Sequence, residues 1–292
     1  MERLGTVAVR TLADDLGAVE GPVVRANGDV LVTSLTHHRI YSVSPEGDVT
    51  ILAETEGSPN GATEGPDGAI FIAQAGLRYE RSDDGEVTTA NRGEPVGGVQ
   101  VMDRAGNVTW VTTDLVTPND LCFGPDGFLY VTDPTRNERR DDGRLWRVDI
   151  ASGQADLVAE VGWYPNGIAF GLDPNVMYVA STGEARIYAY PVDAHGLGAP
   201  EVVCEIGVGR PDGFAVDVEG NLIIALRGGK PTVQIWSADG RLIDGFDSPI
   251  VYARNLALDD SGHLFLCDNN ALLVVDDWPV AGLPLHDGAR VR

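Results

Sequence analysis

The sequence predicts an all-β fold, a six-bladed propeller built from four-stranded blades. Three observations lead there: a repeat that runs the length of the chain, apolar residues that alternate with period two inside each repeat, and an unpaired strand near the N-terminus that fits a gap near the C-terminus.

The repeat is a short apolar strand, a Gly/Asp/Asn turn and a second strand. It reads GPVVRANGDVLVTS, GATEGPDGAIFIA, DLCFGPDGFLYVTD, GIAFGLDPNVMYVAS, GFAVDVEGNLIIAL and NLALDDSGHLFLCD, with turns at Gly28, Gly68, Gly127, Asn175, Gly220 and Gly262. Most copies are followed by a second hairpin, such as RIYSVSPEGDVTILAE or VQIWSADGRLIDGF. Each repeat thus supplies four strands, and radial repetition of such sheets makes a propeller whose blades bury their faces against one another. The sixth repeat ends early in ALLVVDD, while VAVRTLADD at 7–15 precedes the first repeat without a partner. Pairing the two places the N-terminal segment as the outermost strand of the sixth blade and closes the ring.

The 292 residues, with 36 glycines and no Pro/Ser-rich tract, are read as one domain spanning 1–292. The formal net charge of −23, from 21 basic and 44 acidic residues, repels nucleic acid and anionic lipid, so neither is an expected partner. A small-molecule substrate is expected instead, and nothing in the sequence speaks to oligomeric state. No secretory leader pattern and no run of about 18 apolar residues is present, which predicts a soluble, cytoplasmic protein. Cys122, Cys204 and Cys267 lie far apart in apolar segments and are expected to be buried free thiols.

In each blade the innermost strand precedes the turn, so the residue just before that strand lies at one rim of the central channel. Eight residues before Gly28, Gly68, Gly127 and Gly220 stand Glu20, Asn60, Asn119 and Asp212, and nine before Asn175 stands Asn166. The sixth repeat breaks the series with Arg254, followed by Asn255. Five oxygen-bearing side chains at one structural position converge on the channel axis, an array that suits a hard divalent cation. Because none is His or Cys, Ca²⁺ is favoured, with Zn²⁺, Mn²⁺ or Mg²⁺ compatible. The competing reading makes these Asn and Asp ordinary strand-initiating turn residues, with Asn60 in SPNG the least secure.

No G-x-S-x-G elbow, H-E-x-x-H, P-loop or G-x-G-x-x-G occurs. Loops between second and third strands reach the same rim. They bring His37 and His38 in the first blade, and two long loops, 75–97 and 134–143, that carry Arg78, Tyr79, Arg81, Arg92, Arg136, Arg139 and Arg140. His37, His38, Tyr79 and Arg136, with Asn60 and Asn119, are the candidate substrate contacts.

Glu20-Gly21-Pro22, Pro118-Asn119-Asp120, Pro165-Asn166-Gly167 and Pro211-Asp212-Gly213, with LYVTDP at 129–134 and MYVAST at 177–182, resemble the senescence marker protein, gluconolactonase and regucalcin family across nearly the whole chain. The resemblance implies one divalent metal held by Glu20, Asn166 and Asp212, with Asn119 ligating or positioning substrate, and hydrolysis of a lactone. Thr117 stands where some members carry a basic residue two positions before the P-N-D asparagine. On chemical grounds Asp212 is both a ligand and the candidate catalytic general base, since a monodentate carboxylate keeps one oxygen for the attacking water's proton. Two alternatives stay open: the same site acting on an organophosphate ester or a biosynthetic intermediate, and a non-catalytic calcium-binding propeller.

Overall fold

The computed structural model describes residue 4 and residues 7–82, 86–90, 96–135, 142–250 and 252–288. Among these residues six antiparallel sheets stand as six propeller blades, mostly of four strands. Their innermost strands are Val19–Val24, Pro59–Glu64, Leu121–Phe123, Pro165–Phe170, Arg210–Val216 and Leu256–Leu258. Each packs beside the next, and the sixth packs beside the first, so the ring is closed. The closure is the expected one: Arg10–Ala13 pairs antiparallel with Leu272–Val275, and Arg10 stands opposite Val274.

Strict alternation inside the strands explains why the blades stack. In Leu222–Arg227 of the fifth blade, Leu222, Ile224 and Leu226 enter the core shared with the fourth blade, while Ile223 and Ala225 enter the core shared with the sixth. Both faces are buried, so the strand reads as a continuous apolar run. The seam that closes the ring is packed likewise, with Val30, Val32, Tyr41 and Val43 of the first blade against Phe265, Cys267, Leu272 and Val274 of the sixth. All three cysteines are free and buried. Five of the six turns between first and second strands carry a glycine at positive φ, from 71° at Gly68 to 93° at Gly262, the region in which a Cβ is strained.

Two features depart from the sequence reading. The segment 75–97 is not simply a loop, because Arg78–Arg81 and Val87–Ala90 pair as a hairpin within it. The hairpin forms because Tyr79 is buried beside Ala18, Leu35 and Ala75, while its backbone N–H donates to Ser58 Oγ at 2.8 Å. The chain after the sixth blade also returns beneath the channel. Asp217 bridges Gly282, Phe123 bridges His286, and the His286 ring meets Phe170 edge-on, so this segment runs from the fifth blade to the third. Its residues help enclose a cavity of about 700 Å³ in that half of the channel, lined among others by Phe123, Phe170 and Phe214.

Candidate active site

The inner strands are irregular where the site is built. Register shifts fall between Glu20 and Val23, Pro59 and Ala62, Pro165 and Ile168, and Pro211 and Phe214. Each such bulge holds a ring residue or directly follows one, re-aiming the backbone as bulges beside functional sites do. Neighbouring blades are tied together at this level. Thr33 Oγ1 donates to Asn60 O at 2.5 Å, Thr132 Oγ1 to Asn166 O at 2.7 Å, and Thr182 Oγ1 to Pro211 O at 2.7 Å. Gly61 N donates to Asn119 O, and Gly213 N to Arg254 O.

The residues one step deeper form a second layer: Gly21, Gly61, Asp120, Gly167, Gly213 and Asn255. Its glycines are there to make room. A Cβ on Gly61 would stand 2.2 Å from Asp120 Oδ1, and one on Gly213 would stand 2.1 Å from Asn255 Oδ1. Asn255 Nδ2 reaches Asp120 Oδ2 at 3.5 Å, so these two side chains fill the space the glycines leave. The cavity described above lies on their far side, which makes it distinct from the ring.

Glu20, Asn60, Asn166, Asp212 and Arg254 are all buried, and Asn119 is half-buried. Burial, followed by the charge of Asp212, pushes the Glu20 carboxyl up to about 8, against the pull of Arg254. Burial also raises Asp212, which Arg227, Arg254 and the neighbouring Asn166 amide draw back. Asp120 is pushed up to about 7 by burial, opposed first by the Leu121 N–H and then by Asn255. Two carboxylates of the ring thus face each other in a site that disfavours their ionisation, the condition that a bound cation relieves.

The oxygens are free to serve a cation. Asp212 Oδ2 and Asn60 Oδ1 are buried without a hydrogen-bond donor. The Thr182 hydroxyl gives its proton to Pro211 O, so it must accept from Asn166, whose Nδ2 lies 3.0 Å away; the Asn166 Oδ1 is thereby left uncommitted. Asn119 is held through its backbone. Its N–H donates to Thr132 O at 2.8 Å, and the preceding turn is clasped by Asp133, which accepts from Val116 N, Thr117 N, Thr135 N and Trp146 Nε1. Among the described residues no cluster of three or more His, Cys, Asp and Glu side chains stands ready for a metal. The ring offers two carboxylates and three carboxamides instead, a donor set that fits a hard divalent cation.

Of the expected substrate contacts, Tyr79 comes to the channel mouth, close enough to Arg254, Arg227 and Glu20 to sense their charge, while its hydroxyl is driven strongly upward by burial. His38 supports it, with Nε2 3.0 Å from Tyr79 O. His37 turns away, its Nδ1 3.0 Å from the Tyr41 hydroxyl. Burial lowers both histidines. Arg81 donates to the carbonyl of Asn269 in the sixth blade, which ties the hairpin across the rim. Arg78 is spent on Glu56 O at 2.9 Å. Arg92, Arg136, Arg139 and Arg140 lie outside the described residues. Thr117 is buried and donates from Oγ1 to Thr135 O, a structural role.

Two members of the site escaped the sequence reading. Tyr164 is buried beside Asp212 and Asn119, and its hydroxyl is pushed up to about 12, chiefly by burial. Arg227 ends the second strand of the fifth blade with Nε 3.4 Å from Asp212 Oδ2. Their signals were slight: Tyr164 directly precedes Pro165-Asn166, and Arg227 precedes the glycine pair that turns the chain at the rim.

The comparisons agree with the propeller fold. The pattern of the SMP-30/gluconolactonase/LRE-like region matches residues 18–267. A gluconolactonase of Zymomonas mobilis is 27% identical over 80% of this chain and 71% of its own length. A 6-deoxy-6-sulfogluconolactonase of Pseudomonas putida is 30% identical over 56% of this chain, and only 59% of its own length is spanned. Among solved structures, a gluconolactonase of Xanthomonas campestris superposes with a TM-score of 0.78 at 22% identity, covering 97% of this chain and 92% of its own. A calcium-binding regucalcin of Agrobacterium tumefaciens superposes with a TM-score of 0.77 at 18% identity over 100% of both chains. With the same propeller, and a family pattern that runs from just before Glu20 to the second strand of the sixth blade, the chain belongs to the SMP-30/gluconolactonase/LRE-like family.

Proposed function

We propose that this chain is a metal-dependent lactonase that opens a small lactone at the channel mouth. The observation that carries the reading is the pair of buried oxygens without donors, Asp212 Oδ2 and Asn60 Oδ1, beside the strained Glu20 carboxyl. The family and its gluconolactonase relatives support lactone opening as the reaction.

Glu20, Asn119, Asn166 and Asp212 would hold the cation, with Ca²⁺ favoured by their hard oxygens. When bound, the cation supplies Lewis-acid polarisation of the lactone carbonyl and neutralises charge that develops on its oxygen. The remaining steps fall to the chain itself. Asp212 ligates through one carboxylate oxygen and with the other takes a proton from the water that attacks the carbonyl carbon. The acyl C–O bond of the ring then breaks, and the Asp212 carboxyl returns its proton to the departing ring oxygen. Asn119, steadied by the Asp133 clasp, orients the substrate, while Tyr79 and Tyr164 wall the site.

A pH-indicator assay of hexono- and pentonolactones, run with chelator and then with added Ca²⁺, tests the reading. Calcium-restored hydrolysis is the expected result. Chelator-insensitive hydrolysis would remove the metal from the reaction, and hydrolysis of none of the lactones would remove the activity.

A further inference from the structure

Two guanidinium groups at the channel mouth exceed what hydrolysis of a neutral lactone requires. Arg254 fills the sixth position of the ring, where its Nε donates to Asn269 Oδ1 at 2.8 Å and its Nη1 stands 3.7 Å from Glu20 Oε1. Arg227 comes from the adjacent fifth blade. Its side chain is 39% exposed although Asp212 beside it is buried.

Charge balance alone is a poor account of Arg227. A guanidinium recruited to neutralise a buried carboxylate forms a fork of paired hydrogen bonds at about 2.7 to 2.9 Å. The single approach at 3.4 Å is not of that kind, and no N–H of the group donates a hydrogen bond among the described residues. Gly228, next in the chain, has no atom within 4 Å of where a Cβ would stand, so the space around this corner is open. The Tyr252 ring supports the guanidinium from one side, its centroid 6.0 Å from Cζ.

Both arginines border the same small space, Arg227 beside the Asp212 carboxylate and Arg254 beside that of Glu20. With Asp120 one layer deeper, three buried carboxyls stand against the two guanidinium groups. A divalent cation added to that set leaves a positive surplus that a neutral lactone does not answer. In a chain of net charge −23 such a pocket is a local exception to the field around it.

We propose that Arg227, backed by Arg254, recognises an oxyanion carried by the substrate, so that the preferred substrate class is an acidic lactone, one with a carboxylate, sulfonate or phosphate away from the scissile bond. This rests on the lactonase reading above and extends it to specificity. The planar fork of Arg227 grips the distant oxyanion while the ring engages the carbonyl, which fixes the lactone at two points.

The test separates recognition from turnover. Full-length protein in calcium buffer is titrated calorimetrically with a hexonate monoanion and with the matching hexarate dianion, which adds a second carboxylate. The hexarate should bind roughly 10- to 100-fold tighter, the range for a charge-assisted hydrogen-bond pair. Arg227→Gln should erase that difference by weakening hexarate far more than hexonate, and Arg227→Lys should recover part of it. In turnover, a 6-carboxylate or 6-phosphate lactone should exceed the neutral hexonolactone in kcat/KM, and Arg227→Gln should remove the advantage mainly through KM. Equal affinities in the wild type, or a parallel loss of both ligands in Arg227→Gln, overturn the anion assignment. A persistent hexarate preference without hydrolysis of any lactone overturns the lactonase reading and leaves the anion site standing.

Discussion

Arg254 Nη1 stands 3.7 Å from Glu20 Oε1, a guanidinium beside a buried carboxyl with no hydrogen bond closing the gap. The arrangement only partly offsets burial and the charge of Asp212, and Glu20 is left at about 8. The folded chain without metal therefore keeps a proton on Glu20 between about pH 4.5 and 8, a range in which the unfolded chain has lost it. Stability from this group is greatest below the unfolded value, falls as pH rises through the window, and is level above it. Scanning calorimetry in chelator should show Tm declining from pH 5 to pH 8, Glu20→Gln should lessen the decline while Asp120, at about 7, keeps part of it, and added Ca²⁺ should reverse it. A wild-type Tm independent of pH in chelator would mean that Glu20 is ionised without strain.

Asp212→Asn should preserve a ligating oxygen and the shape of the site while removing the base, so kcat should fall by roughly 10² to 10⁴. Glu20→Gln and Asn166→Ala should act chiefly through metal occupancy, and excess Ca²⁺ should restore part of their activity. Steady-state rates against metal concentration distinguish the two. Full rescue of Asp212→Asn by saturating metal would make Asp212 a ligand only, and Asp120, one layer deeper, would be the next candidate for the base.

Gly61→Ala places a Cβ 2.2 Å from Asp120 Oδ1 and 2.9 Å from Asn119 O, so the Asp120 side chain and the Asn119 backbone must both move. Overpacking of this kind costs about 1 to 3 kcal/mol. Calcium affinity should fall along with the denaturation midpoint, because the displaced residue is a proposed ligand. A variant that lost stability but bound calcium normally would show that Asn119 is not one.

Asp133→Ala removes the acceptor for four donors that clasp the turn before Asn119. Leaving buried donors unpaired should cost about 3 kcal/mol or more, measurable in urea denaturation. Asp133→Asn keeps one oxygen and should lose less. The reverse order would point to the carboxylate's charge, and not its hydrogen bonds, as the source of the effect.

The sequence by itself determined the blades and the ring. Alternation of apolar residues sets which strands bury both faces, a turn residue that is glycine in five blades of the six marks the end of each inner strand, and an offset of eight residues from it, nine in the fourth blade, places Glu20, Asn60, Asn119, Asn166 and Asp212 at one level of the channel. The closing pair of Arg10–Ala13 with Leu272–Val275 was legible for the same reason, because an unpaired strand and a missing strand are local facts. What the rim loops and the C-terminal segment do had no such register. Tertiary structure alone brought Arg227 to Asp212, set Tyr164 against Asn119, folded 75–97 into a hairpin that buries Tyr79, turned His37 towards Tyr41, and carried His286 beneath the channel to Phe123. Repeat spacing fixes residues whose position follows from their own strand; side chains that meet only when separate blades close the ring have no common spacing, and their contacts depend on the packing that closes it.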